Sequence, residues 1–390
     1  MNLKKIILEK IQSSPNQIIP FDLFMDLALY HPDPESPGYY LNPKINIGPQ
    51  GDFITSPEIS DLFGLSIAES VSSIFKQLDN QNNHSKNILE LGAGSGKLAI
   101  DILRRLKDLD NLPDHYFILE RSGVLKNLQY HNIKKAHPEL IHQIIWLDNL
   151  EFGHSSPPLH GVILANEVCD ALAVKLFKKI NSQIFELGVD LNLSLTPIAP
   201  DPELLKNIEN IESRLGPFEN NYQSECCLVL KPWLSYLNNF LDQGCILLID
   251  YGYTEQDYYT PSRSTGTLLC YEQHKAYDNP FINIGQRDIT AHVNFSQIAE
   301  IGVDLGLDLL GYCTQMMFLA SCKIDQLEKI YPEKNTQALK MLMHPDLMGE
   351  QFKIIGLGKN LGKNLDKNMD KNTQEENLTG FNFQDCRHRL

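Results

Sequence analysis

The feature that most constrains this chain is a short apolar run leading into three alternating glycines. The run Leu89–Leu91 is typical of a buried strand, Gly92, Gly94 and Gly96 follow it directly, and residues 97–103 have the pattern of a helix. Glycine lets the backbone bend sharply and approach a ligand with no Cβ in the way. Because a plain strand-to-helix turn does not need three glycines, the run predicts a ligand-binding turn in an α/β fold.

The spacing of the glycines separates the classes of ligand. A phosphate-binding loop requires glycine where this chain has Leu91 and Ser or Thr where it has Leu98, and the dinucleotide fingerprint requires glycine at Lys97. The form present, G-x-G-x-G preceded by Glu90, resembles motif I of class I methyltransferases, which bind S-adenosyl-L-methionine. This resemblance implies that Glu90 holds the ammonium of the cofactor, while the start of the helix after Gly96 favours its carboxylate.

Two further acids follow apolar runs and are candidate cofactor contacts. Glu120 lies 26 residues after Gly94, where Rossmann-like proteins place an acid on the ribose hydroxyls. The alternative is a solvated carboxylate that pairs with Arg121 or Lys126. Asp148, after the next run, is a candidate for the adenine edge.

Five short apolar runs alternate with helical patterns, which is typical of a mainly parallel sheet. The runs are 88–91, 116–120, 141–147, 161–165 and 245–250. We therefore predict a Rossmann-like α/β fold with helices on both faces of the sheet. Residues 174–180, 184–189 and 193–198 alternate like the strands of a meander and predict an inserted β-rich part. Residues 309–314, 316–320 and 352–357 are expected to complete the sheet, with an antiparallel edge.

These patterns predict four regions. Residues 1–86 form an N-terminal helical and lid region, 87–170 and 231–357 form the cofactor-binding core, and 171–230 form the inserted subdomain on the substrate side. From Gly358 the chain repeats Lys-Asn, with apolar positions too sparse to bury a face, so 358–390 is expected to be a disordered tail.

Composition excludes several classes of function. A formal net charge of −15 repels phosphate backbones and argues against a nucleic-acid partner. No apolar stretch approaches the roughly 20 residues of a membrane span. The eight cysteines form no C-x-x-C pair and the histidines show no H-E-x-x-H spacing, so no metal site is expected. The start does not read as a secretory signal, and the expected location is a bacterial cytoplasm, or the mitochondrial matrix after removal of a transit peptide.

Several longer segments together resemble the MidA family of class I methyltransferases. They run from about Tyr30 to Leu357, in long ordered motifs. The matching segments are Tyr30–Pro32, Gly38–Tyr40, Gly51–Ser60, Asn166–Leu172, Asp250–Gly252, Gly266–Tyr271, Asp288–Phe295 and Met348–Lys353. The resemblance implies methylation of a protein arginine, with a subunit of respiratory complex I (NADH dehydrogenase) as the substrate.

An arginine acceptor implies roles for acids near the cofactor. Glu167 and Asp170 follow the fourth strand and are expected to orient the guanidinium by charge-assisted hydrogen bonds. The alternative for both is capping of a following helix. His292 is expected to accept the released proton, and the alternative is a structural histidine beside Asp288.

The segment 51–60 is expected to form a lid over the cofactor. Asp52, Phe53, Thr55 and Ser56 are its candidate substrate-side residues. The alternative is a static loop that caps the next helix through Ser56. Three functions stay open at this point: a protein-arginine methyltransferase, a methyltransferase for a small molecule or another residue, and an assembly chaperone that binds the cofactor without turnover.

Overall fold

The computed structural model describes residues 2–43, 55–79, 85–149, 158–332, 336–361 and 378–390. Its α-helices are α1 Leu3–Ser13, α2 Phe21–Tyr30, α3 Ser56–Ile59, α4 Asp61–Asp79, α5 Lys97–Asp108, α6 Gly123–Ala136, α7 Pro202–Leu215, α8 Leu230–Phe240, α9 Glu255–Tyr258, α10 Phe295–Asp304, α11 Gln315–Ser321, α12 Ile324–Ile330 and α13 Thr336–Met343. Its strands are β1 Ile18–Pro20, β2 Asn87–Leu91, β3 His115–Leu119, β4 Ile144–Leu147, β5 Leu159–Asn166, β6 Lys175–Ile180, β7 Gln183–Asp190, β8 Leu195–Ile198, β9 Gln223–Cys226, β10 Leu241–Tyr253, β11 Leu269–Glu272, β12 Lys275–Tyr277, β13 Asp288–Thr290, β14 Val293–Asn294, β15 Asp308–Thr314 and β16 Phe352–Lys359.

The chain divides into two compact units. Unit 1 comprises residues 1–53, 169–232 and 253–294, and unit 2 comprises 54–168, 233–252 and 295–390. These boundaries differ from the predicted ones, because 54–86 belong with the core and 253–294 belong with the predicted insertion. Strands β11 and β13 pair within 253–294, and Tyr258 of this stretch bonds to Glu225 of β9 at 2.9 Å. Contacts between residues that are far apart in the sequence, such as Tyr258 and Glu225, leave no local sequence pattern from which the boundary could be predicted.

Unit 2 is built on a sheet with the strand order β15-β16-β10-β5-β2-β3-β4. The pairs β10–β5, β5–β2, β2–β3 and β3–β4 are parallel, whereas β16 pairs antiparallel with both β10 and β15. Each of the five predicted runs overlaps one of these parallel strands, although residues 141–143 of the third run form a 3-10 turn before β4. The Rossmann-like prediction and its antiparallel edge are therefore confirmed. The centre of the sheet places Leu91 beside both Leu119 and Ala165, at the carboxyl ends of three neighbouring strands.

The prediction that residues 316–320 help to complete the sheet is wrong. Residues 316–320 lie in helix α11, which begins where Thr314 caps it by accepting a hydrogen bond from the Met317 backbone N–H. The cap turns the chain directly after β15, and Phe318 and Leu319 are then buried from a helix. A short apolar run alone does not distinguish a strand from a buried helix.

Unit 1 contains the predicted meander. Strands β6, β7 and β8 pair antiparallel in sequence, and β9 and β1 complete their sheet in the order β1-β7-β6-β9. A second sheet has the order β12-β11-β13. Helix α1 is amphipathic, with Leu3, Ile7 and Ile11 buried along one face.

The prediction of a disordered tail is wrong for residues 358–361, where Gly358 and Lys359 end strand β16, and for residues 378–390. Phe381 is 1% exposed and packs edge-on against Phe318 of α11, with ring centroids 5.4 Å apart. The Cys386 backbone N–H donates to the Tyr312 carbonyl of edge strand β15 at 2.6 Å. Averaging the composition over the Lys-Asn repeats hid these few apolar residues, and the prediction for 362–377 lies outside the described residues. None of the helices within the described ranges has both the length and the apolar character needed to cross a membrane.

Candidate functional site

The three glycines form a left-handed turn between β2 and α5. Gly92, Gly94 and Gly96 have φ values of 63°, 54° and 83°, a region that side chains with a Cβ disfavour. A Cβ on Gly96 would lie 3.3 Å from the Cα of Gln129, so this glycine also allows close packing of α6. The turn delivers the chain to the start of α5 at Lys97, where the helix dipole favours a negatively charged group.

The neighbouring elements of unit 2 hold the turn in place. The Gly92 N–H donates to the Leu119 carbonyl of β3 at 3.0 Å, and the Asn132 amide donates to the Ser95 carbonyl at 2.9 Å. The Ser95 hydroxyl bonds to Glu58 of α3. Lys97, which replaces the third glycine of a dinucleotide site, bonds to Asp61 of α4 at 2.6 Å.

Glu90 is a buried acid on the strand that leads into the turn. Its side chain is 3% exposed, and the Tyr116 hydroxyl donates to it at 2.7 Å. Burial raises the pKa of Glu90 to about 7 and the charge of Glu120 adds to this, while the Tyr116 hydrogen bond opposes it. A cation beside this carboxyl would favour its charged form, which fits the predicted role of binding an ammonium.

Glu120 and Asp148 follow adjacent strands but differ in their surroundings. Glu120 is 8% exposed, its Oε1 accepts from the Ser122 N–H at 2.9 Å, and burial raises its pKa. The side chain of Asp148 is 87% exposed and pairs with Lys126. Of the two acids, only Glu120 is therefore held in a desolvated position. A carboxylate has about four acceptor positions, so Glu120 keeps acceptor capacity for a ribose hydroxyl beside the donors that the protein supplies.

Gln129 is the residue of this site that sequence reasoning missed. It is fully buried, and its amide nitrogen donates to Glu120 Oε2 and to the Gly94 carbonyl, both at 3.0 Å. The signal was present: Leu125, Gln129 and Ile133 are the buried residues of α6, so a glutamine interrupts an otherwise apolar stripe.

Glu167 follows β5 in a strained backbone conformation. Its φ is 54°, which is uncommon for a residue with a side chain, and its N–H donates to the Ile249 carbonyl at 2.8 Å. The carboxylate accepts from the Ser56 N–H at 3.3 Å and from the Asn166 amide at 3.2 Å. A Cβ on Gly92 would lie 3.7 Å from the side chain of Val168, so the residue after Glu167 borders the glycine turn.

The helix-capping alternative for Glu167 and Asp170 is not what the structure contains. The chain after Glu167 forms a single 3-10 turn, Cys169–Ala171, and then enters β6. No α-helix therefore begins there for Glu167 to cap, and Asp170 itself lies within the 3-10 turn.

The predicted lid is only partly described. Asp52 and Phe53 lie outside the described residues. Thr55 precedes α3 without capping it through its side chain, and Ser56 is fully buried, with its hydroxyl donating to Gln315 at 3.0 Å. Gln315 in turn donates to the Leu342 carbonyl at 3.0 Å, so Ser56 belongs to a fixed polar network that positions Glu167.

Two of the predicted catalytic residues lie in unit 1. Asp170 is 6% exposed, and its carbonyl accepts from the Ala291 N–H at 3.0 Å. The backbone N–H of His292 donates to Thr267 at 2.9 Å, and its ring stacks on Tyr253 with centroids 5.2 Å apart. Asp288 accepts from the Tyr40 hydroxyl at 3.1 Å, and burial together with this acid raises the pKa of Tyr40. The described part of the chain holds no group of three or more His, Cys, Asp or Glu side chains arranged for a metal ion.

The residues of unit 2 fit the predicted methyl donor. The turn leaves room for backbone approach, the start of α5 favours a carboxylate, buried Glu90 suits an ammonium, and Glu120 suits ribose hydroxyls.

Comparison with known proteins agrees with this geometry. Residues 66–313, more than half of the chain, match the family model described as S-adenosyl-L-methionine-dependent methyltransferase. A Burkholderia thailandensis protein described as a methyl transferase, with S-adenosyl-homocysteine bound, is 30% identical and superimposes with a TM-score of 0.85, over 100% of this chain and 96% of that one.

Curated relatives are more distant but span most of the chain. The Drosophila melanogaster homolog of the mitochondrial protein arginine methyltransferase NDUFAF7 is 27% identical, over 87% of this chain and 81% of its own length. The Homo sapiens NDUFAF7 is 28% identical, over 82% of this chain and 76% of its own. The chain belongs to the MidA family of S-adenosyl-L-methionine-dependent methyltransferases, and S-adenosyl-L-methionine is its cofactor.

Proposed function

We propose that the chain is a protein-arginine N-methyltransferase whose substrate is a subunit of respiratory complex I. The observation that carries this proposal is Glu167, a carboxylate held in a strained conformation one residue from the border of the glycine turn. The relatives named as protein arginine methyltransferases support the choice of acceptor. The net charge of −15 also favours a basic protein segment over an acidic one.

An arginine acceptor sets a specific demand on the protein. The guanidinium stays cationic at neutral pH because its pKa exceeds about 12, so its nitrogen is a weak nucleophile that must be oriented. A carboxylate does this through charge-assisted hydrogen bonds with fixed geometry. The Ser56 and Asn166 donors fix Glu167 for this role.

The bound cofactor supplies an activated methyl group on a sulfonium sulfur. The work of the protein is then to align the acceptor nitrogen, an effect worth up to about 7–11 kcal/mol in favourable cases. We keep Asp170 as a second orienting carboxylate and His292 as the acceptor of the proton that the nitrogen loses. Thr55 and Ser56 are kept on the substrate side.

The first test asks what becomes methylated. The full-length protein is incubated with methyl-labelled cofactor and a lysate, and labelled products are identified by mass spectrometry. Labelled arginine in a complex I subunit is the expected result. Label on a metabolite or another residue would replace the proposed acceptor, and absence of label with retained cofactor binding would favour a chaperone.

The second test asks whether Glu167 takes part in transfer. We expect Glu167→Gln to lower the rate at least about 100-fold, because it removes the charge that orients the acceptor, while cofactor affinity changes less than about twofold. Glu300→Gln on α10 is the matched control, since Glu300 is exposed. Equal rates in all three proteins would remove Glu167 from the mechanism.

We propose the mitochondrial matrix as the place of action. The relatives named above are described as mitochondrial, which supports the matrix among the two predicted locations. Fractionation of cells that express the tagged chain would test it, and signal outside the mitochondria would favour the alternative.

A further inference from the structure

Gln129 connects two parts of the cofactor site that are separate in the sequence. Its amide nitrogen donates one hydrogen to Glu120 Oε2 and one to the carbonyl of Gly94, each at 3.0 Å. Glu120 ends up beyond β3 and Gly94 lies in the turn after β2, so one buried amide ties the acid to the glycine turn.

The third partner of Gln129 determines which way the amide faces. The Trp146 indole N–H donates to Gln129 Oε1 at 3.0 Å. An indole nitrogen is only a donor, and a carboxylate and a carbonyl are only acceptors. If the amide were flipped, its NH₂ group would face the Trp146 N–H, another donor. Its oxygen would face the oxygens of Glu120 and Gly94, which are also acceptors. Trp146 thereby forces the NH₂ group toward the acid and the turn.

This arrangement restricts Glu120 to one geometry. Its Oε1 is held by the Ser122 N–H and its Oε2 by Gln129, so both oxygens are fixed before any ligand arrives. Because the group is buried, a carboxylate with fewer donors would have a stronger tendency to become protonated or to turn away. A preorganised carboxylate loses less freedom on binding.

We propose that Gln129 is a positioning residue for recognition of the cofactor's ribose, acting through Glu120. The proposal rests on the proposed role of Glu120, and it does not depend on the identity of the methyl acceptor. It makes Gln129 and Trp146 determinants of the preference for a ligand with ribose hydroxyls.

The test compares two ligands by calorimetry. S-adenosylhomocysteine carries both ribose hydroxyls, and its 2′,3′-dideoxy analogue carries neither. We expect Gln129→Leu to weaken binding of S-adenosylhomocysteine by at least about tenfold and binding of the analogue by less than about twofold, because the variant releases the carboxylate that contacts the hydroxyls. Trp146→Phe, which removes the N–H that orients the amide, is expected to show a smaller loss of the same kind.

The control is Asn127→Leu, which removes an exposed amide from the same helix and should leave both affinities unchanged. Equal loss for both ligands in Gln129→Leu would show that the glutamine merely supports the fold, and would overturn the proposal. A wild-type protein that binds both ligands equally would overturn the role of Glu120, whatever acceptor is methylated.

A second variant keeps the test decisive if the leucine variant folds poorly. Gln129→Glu preserves the size of the side chain and the acceptor for Trp146, but it places a second carboxyl against Glu120. Two carboxyls this close share a proton more readily as the pH falls. Affinity for S-adenosylhomocysteine should therefore recover at lower pH in this variant alone, and a pH profile parallel to that of the wild type would contradict the proposal.

Discussion

Unit 2 uses glycine in two regions for two different physical reasons. In the turn after β2, Gly92, Gly94 and Gly96 have positive φ, so their backbone conformation requires glycine. At the sheet edge, Gly311 of β15 does not have a positive φ, but a Cβ there would overlap the ring of Phe381. The first set shapes a binding turn, whereas Gly311 opens a slot for an aromatic ring.

The difference shows what a glycine in a sequence can reveal. The turn is visible because its glycines alternate within a few residues beside an apolar strand. The slot depends on Phe381, about 70 residues further along the chain than Gly311, so nothing local indicates it. The two regions should also respond differently to substitution, since we propose that one binds the cofactor, whereas the other packs against an aromatic ring.

The largest expected effect is at the turn. Gly94→Val should abolish cofactor binding, because it places a branched side chain at φ 54° on the ligand side of the turn. Calorimetry with S-adenosylhomocysteine measures it. Gly306→Val is the control, since Gly306 also has positive φ, at 80°, but has no atoms near its Cβ position. Retained binding in Gly94→Val would place the site elsewhere.

The slot should show the opposite response. Phe381→Ala should lower the free energy of unfolding by about 3–5 kcal/mol, because it leaves a cavity in the core, and cofactor affinity should change less than twofold. Denaturant unfolding measures the first quantity. Phe383→Ala is the control, since Phe383 is 70% exposed and its loss should cost less than about 0.5 kcal/mol. Equal losses of unfolding free energy in Phe381→Ala and Phe383→Ala would contradict the packing role of Phe381.

Glu90, the acid before the turn, allows a test of whether a buried group suited to ligand binding lowers the free energy of unfolding. The pKa of Glu90 lies at about 7 instead of 4.5, so the folded protein holds a proton that the unfolded chain releases between these values. Stability therefore falls as pH rises from 4.5 to 7, by about 3 kcal/mol in total, and stays lower above pH 7. Glu90→Gln, which is neutral throughout, should lose the contribution of Glu90 to the pH dependence of stability and bind the cofactor more weakly. An unchanged slope in urea titrations would assign it to another group.

The smallest effect is expected at Asp148. Its side chain is 87% exposed, so a hydrogen bond to the adenine edge would contribute about 0.5–1.5 kcal/mol, and Asp148→Asn should weaken binding less than about tenfold. Lys126→Gln removes only the ion-pair partner. Equal effects of the two variants would mean that the pair, and not a ligand contact, is responsible.

The sequence was sufficient to predict the parallel strands and the glycine turn of unit 2. Parallel strands were predictable because both faces are buried, as at β2, where every residue is buried and apolar runs persist. Glu90 and the glycines are neighbours in sequence, so their relation is local.

The remainder depended on contacts between distant residues. Gln129 could be suspected from its place in an apolar stripe, but its partners Gly94 and Trp146 lie on other elements. Residues 316–320 are helical because Thr314 caps the helix. The last residues pack against the sheet because Gly311, which has no side chain, leaves space for the ring of Phe381. In each case tertiary context decided among states that the local pattern allowed.

The hydrogen bonds around Gln129 can form early during synthesis of the chain. These three bonds join residues separated by 35, 9 and 17 positions, all before residue 147. Glu167 is instead held by Ser56 across 111 positions, and Ser56 by Gln315 across 259. Closing a loop of 259 residues costs about 2 kcal/mol more entropy than closing one of 35. The contacts around Gln129 can therefore form on a nascent chain before Gln315, which completes the contacts that hold Glu167, has been synthesised.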